Sequence, residues 1–370
     1  MARVCFLTER LLRGWGVDHV VHRVAEGLGN AGFSVDVVCL RADRSYRSPA
    51  YRVRMLDVPL SPPESLEDRI AARSGLLRQR PYDLYVACMF PFFGVASRLG
   101  LPFVYYEHGV VPAEHPDERQ RRLLERLRSE APAHQANARR IVAISRFIMA
   151  EQVDPSRHGD TDVVYNGADS FGSPAGEQER AALRARLGFA PDDEVVGYVG
   201  RVERETYKGV DDLVEIVAAV RRRRPRARLL LVGVADAVAR RHFAELPFVT
   251  IASDVPDAEM PAYFAAMDVV ASASRWEGFN LPLAEAQLHG RPVVAYRLAA
   301  HPEVVGPSGA LAGTASEFAD ALVDLLADAD ARRRRGDEAR IWAARFTWAA
   351  TVAGMAASLR AAGAEPPAAP

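Results

Sequence analysis

Short, uninterrupted apolar runs alternate with helix-like segments along this chain, and this pattern limits the folds open to it. Residues 17–28 carry apolar side chains at the i, i+3, i+4, i+7 spacing of an amphipathic helix. Strands that lack polar alternation are buried on both faces, so the pattern predicts parallel sheets covered by helices. The apolar runs of the first half are Val4–Leu7, Val35–Leu40, Leu84–Cys88, Phe103–Tyr106, Ile141–Ile144 and Val163–Tyr165.

The alternation stops at a turn-rich stretch, residues 170–176, and then begins again. A chain of 370 residues is also too long for one ordinary core. We therefore expect an α/β protein with two doubly wound, Rossmann-like domains, residues 1–172 and 173–345. Residues 346–370 are predicted to form a helix that packs back on the first domain, followed by a disordered tail. The second set of predicted strands is Val195–Val199, Leu229–Val232, Val249–Ile251, Val269–Ala271 and Val293–Ala295.

Composition and charge exclude several classes of protein. The formal net charge is −1, which gives no global field for nucleic acid, and no apolar run approaches the ~18 residues of a membrane span. The start of the chain lacks a signal-peptide pattern, and its three cysteines fall in or beside predicted buried strands. A cytoplasmic protein is expected. The basic segment 117–140 leaves peripheral contact with the inner face of a membrane open, but an ordinary surface helix is favoured.

The most informative functional segment is Trp276–Glu285. A predicted strand leads to a turn at Gly278, and a helix-competent segment runs from Leu281 to His289. The start of such a helix presents free N–H groups, which suit a phosphate. Helical spacing places the carboxylates of Glu277 and Glu285 ~12 Å apart. That distance is too long for an acid–base pair on one bond, and it suits the two ends of a sugar–diphosphate–nucleoside.

A second candidate phosphate site lies between Gly200 and Gly209. The chain has 47 lysines and arginines, yet Lys208 is its only lysine, a bias that indicates a high-GC bacterial genome. Arg201 and Lys208 lie on a glycine-flanked loop that follows a predicted strand. A planar guanidinium and a compact ammonium together form a suitable diphosphate clamp. A surface lysine left by chance is the alternative.

Taken together, these segments resemble the family 4 retaining glycosyltransferases, which have the GT-B fold of two Rossmann-like domains facing a central cleft. The resemblance extends over nearly the whole chain. The matching stretches are residues 15–18, 107–109, 144–145, 166–169, 200–201, 208–209 and 302–304, with the pair Glu277 and Glu285.

The resemblance implies a role for each candidate residue. The donor diphosphate would lie on Arg201, Lys208 and the N–H groups after Gly278. Glu285 would bind the ribose hydroxyls, Glu277 would bind the transferred sugar, and His108 would lie near the acceptor. The remaining donor-binding residues implied are Gly16, Phe279, Asn280 and Leu281. His108, Glu277, Arg201 and Lys208 are the catalytic set.

The implied reaction moves a sugar from a UDP- or GDP-sugar to a hydroxyl of a carbohydrate, lipid-linked or small-molecule acceptor, with retention and without a metal or other cofactor. Bacterial glycoconjugates, polysaccharides or glycosylated natural products are the expected products. An epimerase of the same fold and a catalytically silent nucleotide-sugar-binding partner stay open as alternatives. Two departures from the family pattern affect the site. The loop before Lys208 is about two residues longer than usual, and Asn280 replaces a frequent glycine.

Overall fold

The computed structural model describes residues 2–43, 46–61, 65–73, 75–78, 82–112 and 118–365. The described strands form two sheets, and all of their pairings are parallel. The strands are β1 (Arg3–Leu11), β2 (Ser34–Ala42), β3 (Tyr51–Met55), β4 (Leu84–Ala87), β5 (Phe103–Glu107), β6 (Arg140–Ala143), β7 (Thr161–Val163), β8 (Glu194–Val199), β9 (Ala227–Val232), β10 (Val249–Ala252), β11 (Val269–Ser272), β12 (Val293–Tyr296) and β13 (Ala310–Ala312).

The first sheet has the strand order β3-β2-β1-β4-β5-β6-β7, and the second has the order β10-β9-β8-β11-β12-β13. Helices connect most of the successive strands, and the last three helices follow the final strand. They are α1 (Gly16–Asn30), α2 (Leu66–Ala72), α3 (Gly75–Arg78), α4 (Phe92–Arg98), α5 (Glu118–Asn137), α6 (Arg146–Gln152), α7 (Glu177–Arg186), α8 (Val210–Arg221), α9 (Ala237–Ala244), α10 (Met260–Ala266), α11 (Leu281–Leu288), α12 (His301–Val305), α13 (Ala315–Ala327), α14 (Ala329–Ala343) and α15 (Trp348–Ala361).

The chain divides into two compact units. Unit 1 comprises Met1–Asn166 and Trp348–Pro370, and unit 2 comprises Gly167–Thr347. Helix α15 packs on α1 within unit 1, where a Cβ on Gly27 would lie 2.3 Å from Val352 Cγ2. Residues 366–370, which include the predicted disordered tail, lie outside the described residues.

The central strands of both sheets lie where the apolar runs predict them, and the apolar residues of β1, β2, β4 and β9 are mostly buried. Three of the four edge strands differ from the expectation, whereas β10 lies where it is predicted. Strands β3 and β13 are absent from the predicted set, and β7 spans Thr161–Val163 rather than Val163–Tyr165. Edge strands are half exposed, so they do not need the uninterrupted apolar run that identifies a central strand.

Cys5, Cys39 and Cys88 are buried free thiols, as their positions in the apolar strands predict. Among the described residues, no helix combines the length and apolarity that crossing a lipid bilayer requires.

Candidate active site

The loop between β8 and α8 carries the two predicted cations and has a defined conformation. Gly209 adopts φ +61°, and a Cβ there would lie 2.2 Å from the carbonyl oxygen of Ala273. Only glycine therefore allows the loop to pass this close to the end of β11. The other end is fixed by a bond from the Val202 N–H to the Val234 oxygen, 2.8 Å long.

Lys208 and Glu277 form an ion pair in unit 2, with 2.8 Å between Nζ and Oε1. The longer loop therefore does not carry the lysine away from the carboxylate. Burial acts to lower the pKa of Lys208, but Glu277 and the nearby tyrosine side chains outweigh it and raise that pKa above its usual value. The ammonium is fully protonated at physiological pH. The sequence identified both residues but did not predict their ion pair.

Arg201 lies on the same loop and is also paired with a carboxylate. Its Nη1 is 2.8 Å from Glu203 Oε1, and its Nη2 is 3.4 Å from the Tyr207 hydroxyl. Lys208 Nζ lies 5.1 Å from the centroid of the Tyr207 ring. Tyr207 thus contacts both cations, a role that no sequence motif indicates.

The turn from Gly278 to Leu281 provides backbone donors beside this pair. The N-cap of α11 is Asn280, which has φ +76° and no side-chain capping bond. Pro282 has no N–H, and the Leu283 N–H is bonded to the Asn280 oxygen. Among the described residues, no hydrogen bond uses the N–H groups of Gly278, Asn280 or Leu281. The N–H donors that an anion could use therefore lie in the turn and at the first residue of α11, and not further along the helix.

The helical geometry assumed for the spacing of the two carboxylates does not extend through this turn. Helix α11 begins at Leu281, so only Glu285 lies on it, and Glu277 precedes the left-handed residue Asn280. The ~12 Å separation assumed a helix that included both residues. Phe279 is buried, with its ring 5.2 Å from that of Phe346. Because the ring is buried, Phe279 would contact a ligand through its backbone.

Glu285 is a buried carboxyl group, and its side chain is 6% exposed. Burial, reinforced by the nearby Asp257 carboxylate, raises its pKa to about 8. Within the described part of the chain, the Glu285 side chain makes no ion pair or hydrogen bond. A buried acid without a cation is unfavourable for folding, which is typical of groups retained for binding.

Glu285→Gln is therefore expected to stabilise the ligand-free protein at alkaline pH. A raised carboxyl pKa contributes stability that is complete below the unfolded value of 4.5 and is lost as pH rises through about 8. Glutamine does not titrate, so the variant avoids this loss. Thermal unfolding should give matching midpoints near pH 5 and a midpoint several degrees higher for the variant near pH 9. The exposed Glu338→Gln serves as control, and an equal shift there would contradict the assignment.

His108 lies in unit 1, directly after β5. Its side chain is buried, and Nε2 has no hydrogen-bond partner among the described residues. Burial lowers the pKa of His108 to about 3, so the ring is neutral. Its centroid lies 4.1 Å from that of Tyr106.

The loop after His108 is bonded on both sides. Glu107 Oε1 accepts a 2.8 Å bond from the Gly109 N–H, and burial raises the Glu107 pKa to about 7. The Gln152 side-chain amide brackets Val110, accepting from its N–H and donating to its oxygen, both at 2.7 Å. Gln152 fixes the backbone beside His108, and its residue type gave no signal in the sequence.

Gly16 is the first residue of α1 and is exposed, and a Cβ there would have no neighbour within 4 Å. Asp18 anchors the preceding loop, because its Oδ2 accepts a 2.8 Å bond from the Leu12 N–H. Burial raises the Asp18 pKa to about 7, although Arg10 acts in the opposite direction. Unit 1 thus carries Gly16 and His108, and the other predicted site residues belong to unit 2.

One group of potential metal ligands occurs among the described residues, formed by Glu67, Glu130 and His134. It lies in unit 1, and Arg126 makes ion pairs with both carboxylates at 3.3 and 2.9 Å. Because Arg126 already neutralises both carboxylates, they offer less negative charge to a metal ion. None of the predicted site residues belongs to this group.

Two family models match the chain. Residues 15–170 match the model described as Glycosyltransferase Family 4, and residues 193–328 match the model described as Glycosyl transferases group 1. The second match lies within unit 2, and the first runs from residue 15 through the end of unit 1 at Asn166 and four residues into unit 2.

Two of the similar proteins are D-inositol 3-phosphate glycosyltransferases. The protein from Segniliparus rotundus is 32% identical over 291 residues, covering 72% of this chain and 63% of that protein. The protein from Corynebacterium glutamicum is 28% identical over 383 residues, covering 91% of this chain and 90% of that protein.

Among solved structures, the sucrose-phosphate synthase of Thermosynechococcus elongatus has a TM-score of 0.80 at 22% identity, covering 97% of this chain and 98% of that chain. HepE of Anabaena in complex with UDP-glucose has a TM-score of 0.75 at 22% identity, covering 97% of this chain and 100% of that chain. These likenesses agree with the two parallel sheets and with both family models. The chain therefore belongs to the family 4 glycosyltransferases and has the GT-B fold.

Proposed function

We propose that this glycosyltransferase moves a sugar from a nucleoside-diphosphate sugar to a hydroxyl acceptor with retention of configuration. The observation that carries the proposal is the bonded pair of Lys208 and Glu277 beside a turn with open N–H groups. A cation and backbone donors suit a diphosphate, and an adjacent carboxylate suits the hydroxyls of the sugar attached to it.

The donor diphosphate is assigned to Lys208, Arg201 and the Gly278–Leu281 turn. In the ligand-free protein Glu277 and Glu203 neutralise the two cations. A diphosphate replaces these contacts with stronger charge-assisted bonds and accumulates negative charge as the sugar departs. The site therefore stabilises the leaving group more strongly in the transition state than in the bound donor.

The two carboxylates are assigned to opposite ends of the donor. The Glu277 carboxylate contacts Lys208, which is assigned to the diphosphate. Glu277 is therefore assigned to the sugar next to the diphosphate. Glu285 is buried and unpaired within the described residues, and ribose hydroxyls can donate to it. Ionisation of Glu285 for this contact releases a proton, because its pKa in the free protein is about 8.

Retention is assigned to a reaction on one face of the sugar. In this reaction the leaving diphosphate takes the proton from the hydroxyl group of the acceptor. The neutral His108 ring supports this assignment, because a group with a pKa of about 3 is a weak base. Its role is to contact the sugar or the acceptor. The names of the D-inositol 3-phosphate glycosyltransferases suggest a phosphorylated polyol as the first acceptor to test.

The transfer assay offers UDP-, GDP-, ADP- and dTDP-glucose with and without D-inositol 3-phosphate, and measures nucleoside diphosphate released. Acceptor-dependent release and an α-glycoside by NMR are the expected results. Conversion of the donor sugar without acceptor would indicate an epimerase. Nucleotide binding without release from any donor, over a broad acceptor set, would indicate a silent binding partner.

Chelation is expected to leave the transfer rate unchanged. Arg201, Lys208 and the turn supply the positive charge for the diphosphate, so no divalent ion is required. The rate should be equal within error in EDTA and in MgCl2, with ionic strength matched. Abolition by EDTA and recovery with a divalent ion would overturn the metal-independent assignment.

A further inference from the structure

The side chain of Asn280 makes two buried contacts at the back of the donor turn. Its Nδ2 lies 3.1 Å from the Ser272 hydroxyl and 3.0 Å from His301 Nε2. Ser272 ends β11, and His301 begins α12. The side-chain nitrogen is therefore committed to the protein interior, and Asn280 joins the turn to two neighbouring elements.

The state of His301 follows from its two neighbours. Its Nδ1 lies 2.9 Å from the Tyr296 carbonyl oxygen, which can only accept, so Nδ1 carries the proton. Nε2 then presents a lone pair to the Asn280 amide. Burial is the largest effect and lowers the pKa of His301. Glu277 and the Tyr296 carbonyl act to raise that pKa, and Lys208, the smallest of the four effects, acts to lower it. The ring is fully buried and neutral.

The same segment also contacts the other end of the turn. The Ala300 N–H donates to the Glu277 carbonyl oxygen at 3.2 Å, and the next residue, His301, accepts from Asn280. Two consecutive residues thus bond to both ends of the Glu277–Asn280 turn. His301 is itself bonded to the end of β12, so the turn is tied to two strands of the sheet.

Asn280 suits this position for two reasons. Its φ of +76° is a conformation that asparagine tolerates better than other side chains. Glycine would adopt the same backbone but would lack the amide. The asparagine thus combines the required backbone shape with a bond that holds it in place.

We propose that Asn280 and His301 act as a positioning pair that fixes the Glu277–Asn280 turn in its catalytic geometry. The proposal rests on the assignment of this turn to the donor diphosphate and sugar. The pair sets the rate of transfer, because the Glu277 carboxylate and the turn N–H groups must be in place before the leaving group departs. Neither Asn280 nor His301 accepts a reacting proton.

Three single variants, one double variant and one control test the pair. Asn280→Gly keeps the positive φ and removes the amide. His301→Leu removes the acceptor, and His301→Gln restores an acceptor near Nε2. Gln287→Met is the matched control, because Gln287 is a buried amide on α11 that donates to the Val304 oxygen of α12 at 3.0 Å, away from the turn.

Asn280→Gly and His301→Leu are each expected to lower kcat about tenfold, with nucleoside diphosphate Kd changed less than threefold. The losses should not add in the double variant, since the contact between Asn280 and His301 is already removed by either single variant. His301→Gln should recover most of the rate. Gln287→Met should lower the unfolding temperature without the loss of kcat. Equal kcat in all variants, or equal losses in the control, would overturn the proposal.

Hydrogen exchange of residues 274–281 separates this inference from the proposed function, because it requires no turnover. The turn amides should exchange about tenfold faster in Asn280→Gly and His301→Leu than in the wild type or Gln287→Met. Unchanged exchange would refute the positioning pair even if transfer is observed. Faster exchange in an enzyme that transfers no sugar would retain the pair and refute the proposed function.

Discussion

Replacing Lys208 by alanine is expected to lower kcat/KM about a hundredfold, equivalent to ~3 kcal/mol of transition-state stabilisation. Two effects combine. The diphosphate loses its point charge, and Glu277, whose side chain is 12% exposed, loses the ammonium 2.8 Å away. Steady-state kinetics with the preferred donor, together with nucleoside diphosphate Kd, measures both consequences. Affinity should also fall, because the proposal assigns Lys208 to the diphosphate both before and during transfer.

Arg204→Ala provides the control for this prediction. Arg204 lies on the same loop, but it pairs with Asp211 at 2.9 Å, and its side chain is 31% exposed. Surface ion pairs of this kind contribute about 1 kcal/mol or less, so the rate should stay within a few-fold of wild type. If Lys208→Ala also stays within a few-fold, the lysine does not contact the reacting diphosphate.

Replacing Glu277 by glutamine or alanine is expected to lower kcat by about two decades while nucleoside diphosphate affinity stays nearly intact. The proposed contact is with the sugar, which the free nucleotide lacks. Loss of the carboxylate also frees Lys208 from its ion pair, so the lysine remains available to the diphosphate. Kinetics with the donor sugar and calorimetry with the free nucleotide separate the two quantities.

Glu285→Gln should give the reverse pattern, which makes the two carboxylates controls for each other. A carboxyl group assigned to the ribose contributes to binding of donor and free nucleotide alike, so KM and Kd should rise together with little change in kcat. If Glu277→Gln weakens nucleotide binding as much as it lowers turnover, its assignment to the sugar is wrong.

The sequence was sufficient for the central part of the fold. Strands β1, β2, β4 and β9 are covered on both faces, and their uninterrupted apolar runs identify them. Edge strand β3 reads Tyr-Arg-Val-Arg-Met, and two of its arginines are bonded to Asp36 of β2. Such a strand depends on a tertiary partner, which local periodicity does not reveal.

In the site, residue identity was more accessible than geometry. Glu277, Lys208 and Arg201 were singled out because their chemistry and their glycine neighbours are distinctive, and their roles stay a prediction. The Lys208–Glu277 ion pair depends on how a longer loop folds past Ala273. Helical geometry does not describe the chain from Glu277 to Glu285, because Asn280 adopts a left-handed conformation. Gln152 and His301 are bonded to backbone and amide partners that are distant in sequence, so no local pattern marks them.

The central claim is that the β8–α8 loop and the turn before α11 jointly bind a diphosphate. The most direct test is the structure of the protein bound to one of the four nucleotides UDP, GDP, ADP and dTDP. The nucleotide chosen is the one that most raises the unfolding temperature, since a ligand at a hundred times its Kd stabilises the protein by ~2.7 kcal/mol. The diphosphate should lie about 3 Å from Lys208 Nζ and from turn N–H groups between Gly278 and Leu281. A diphosphate bound elsewhere in the protein would contradict the account.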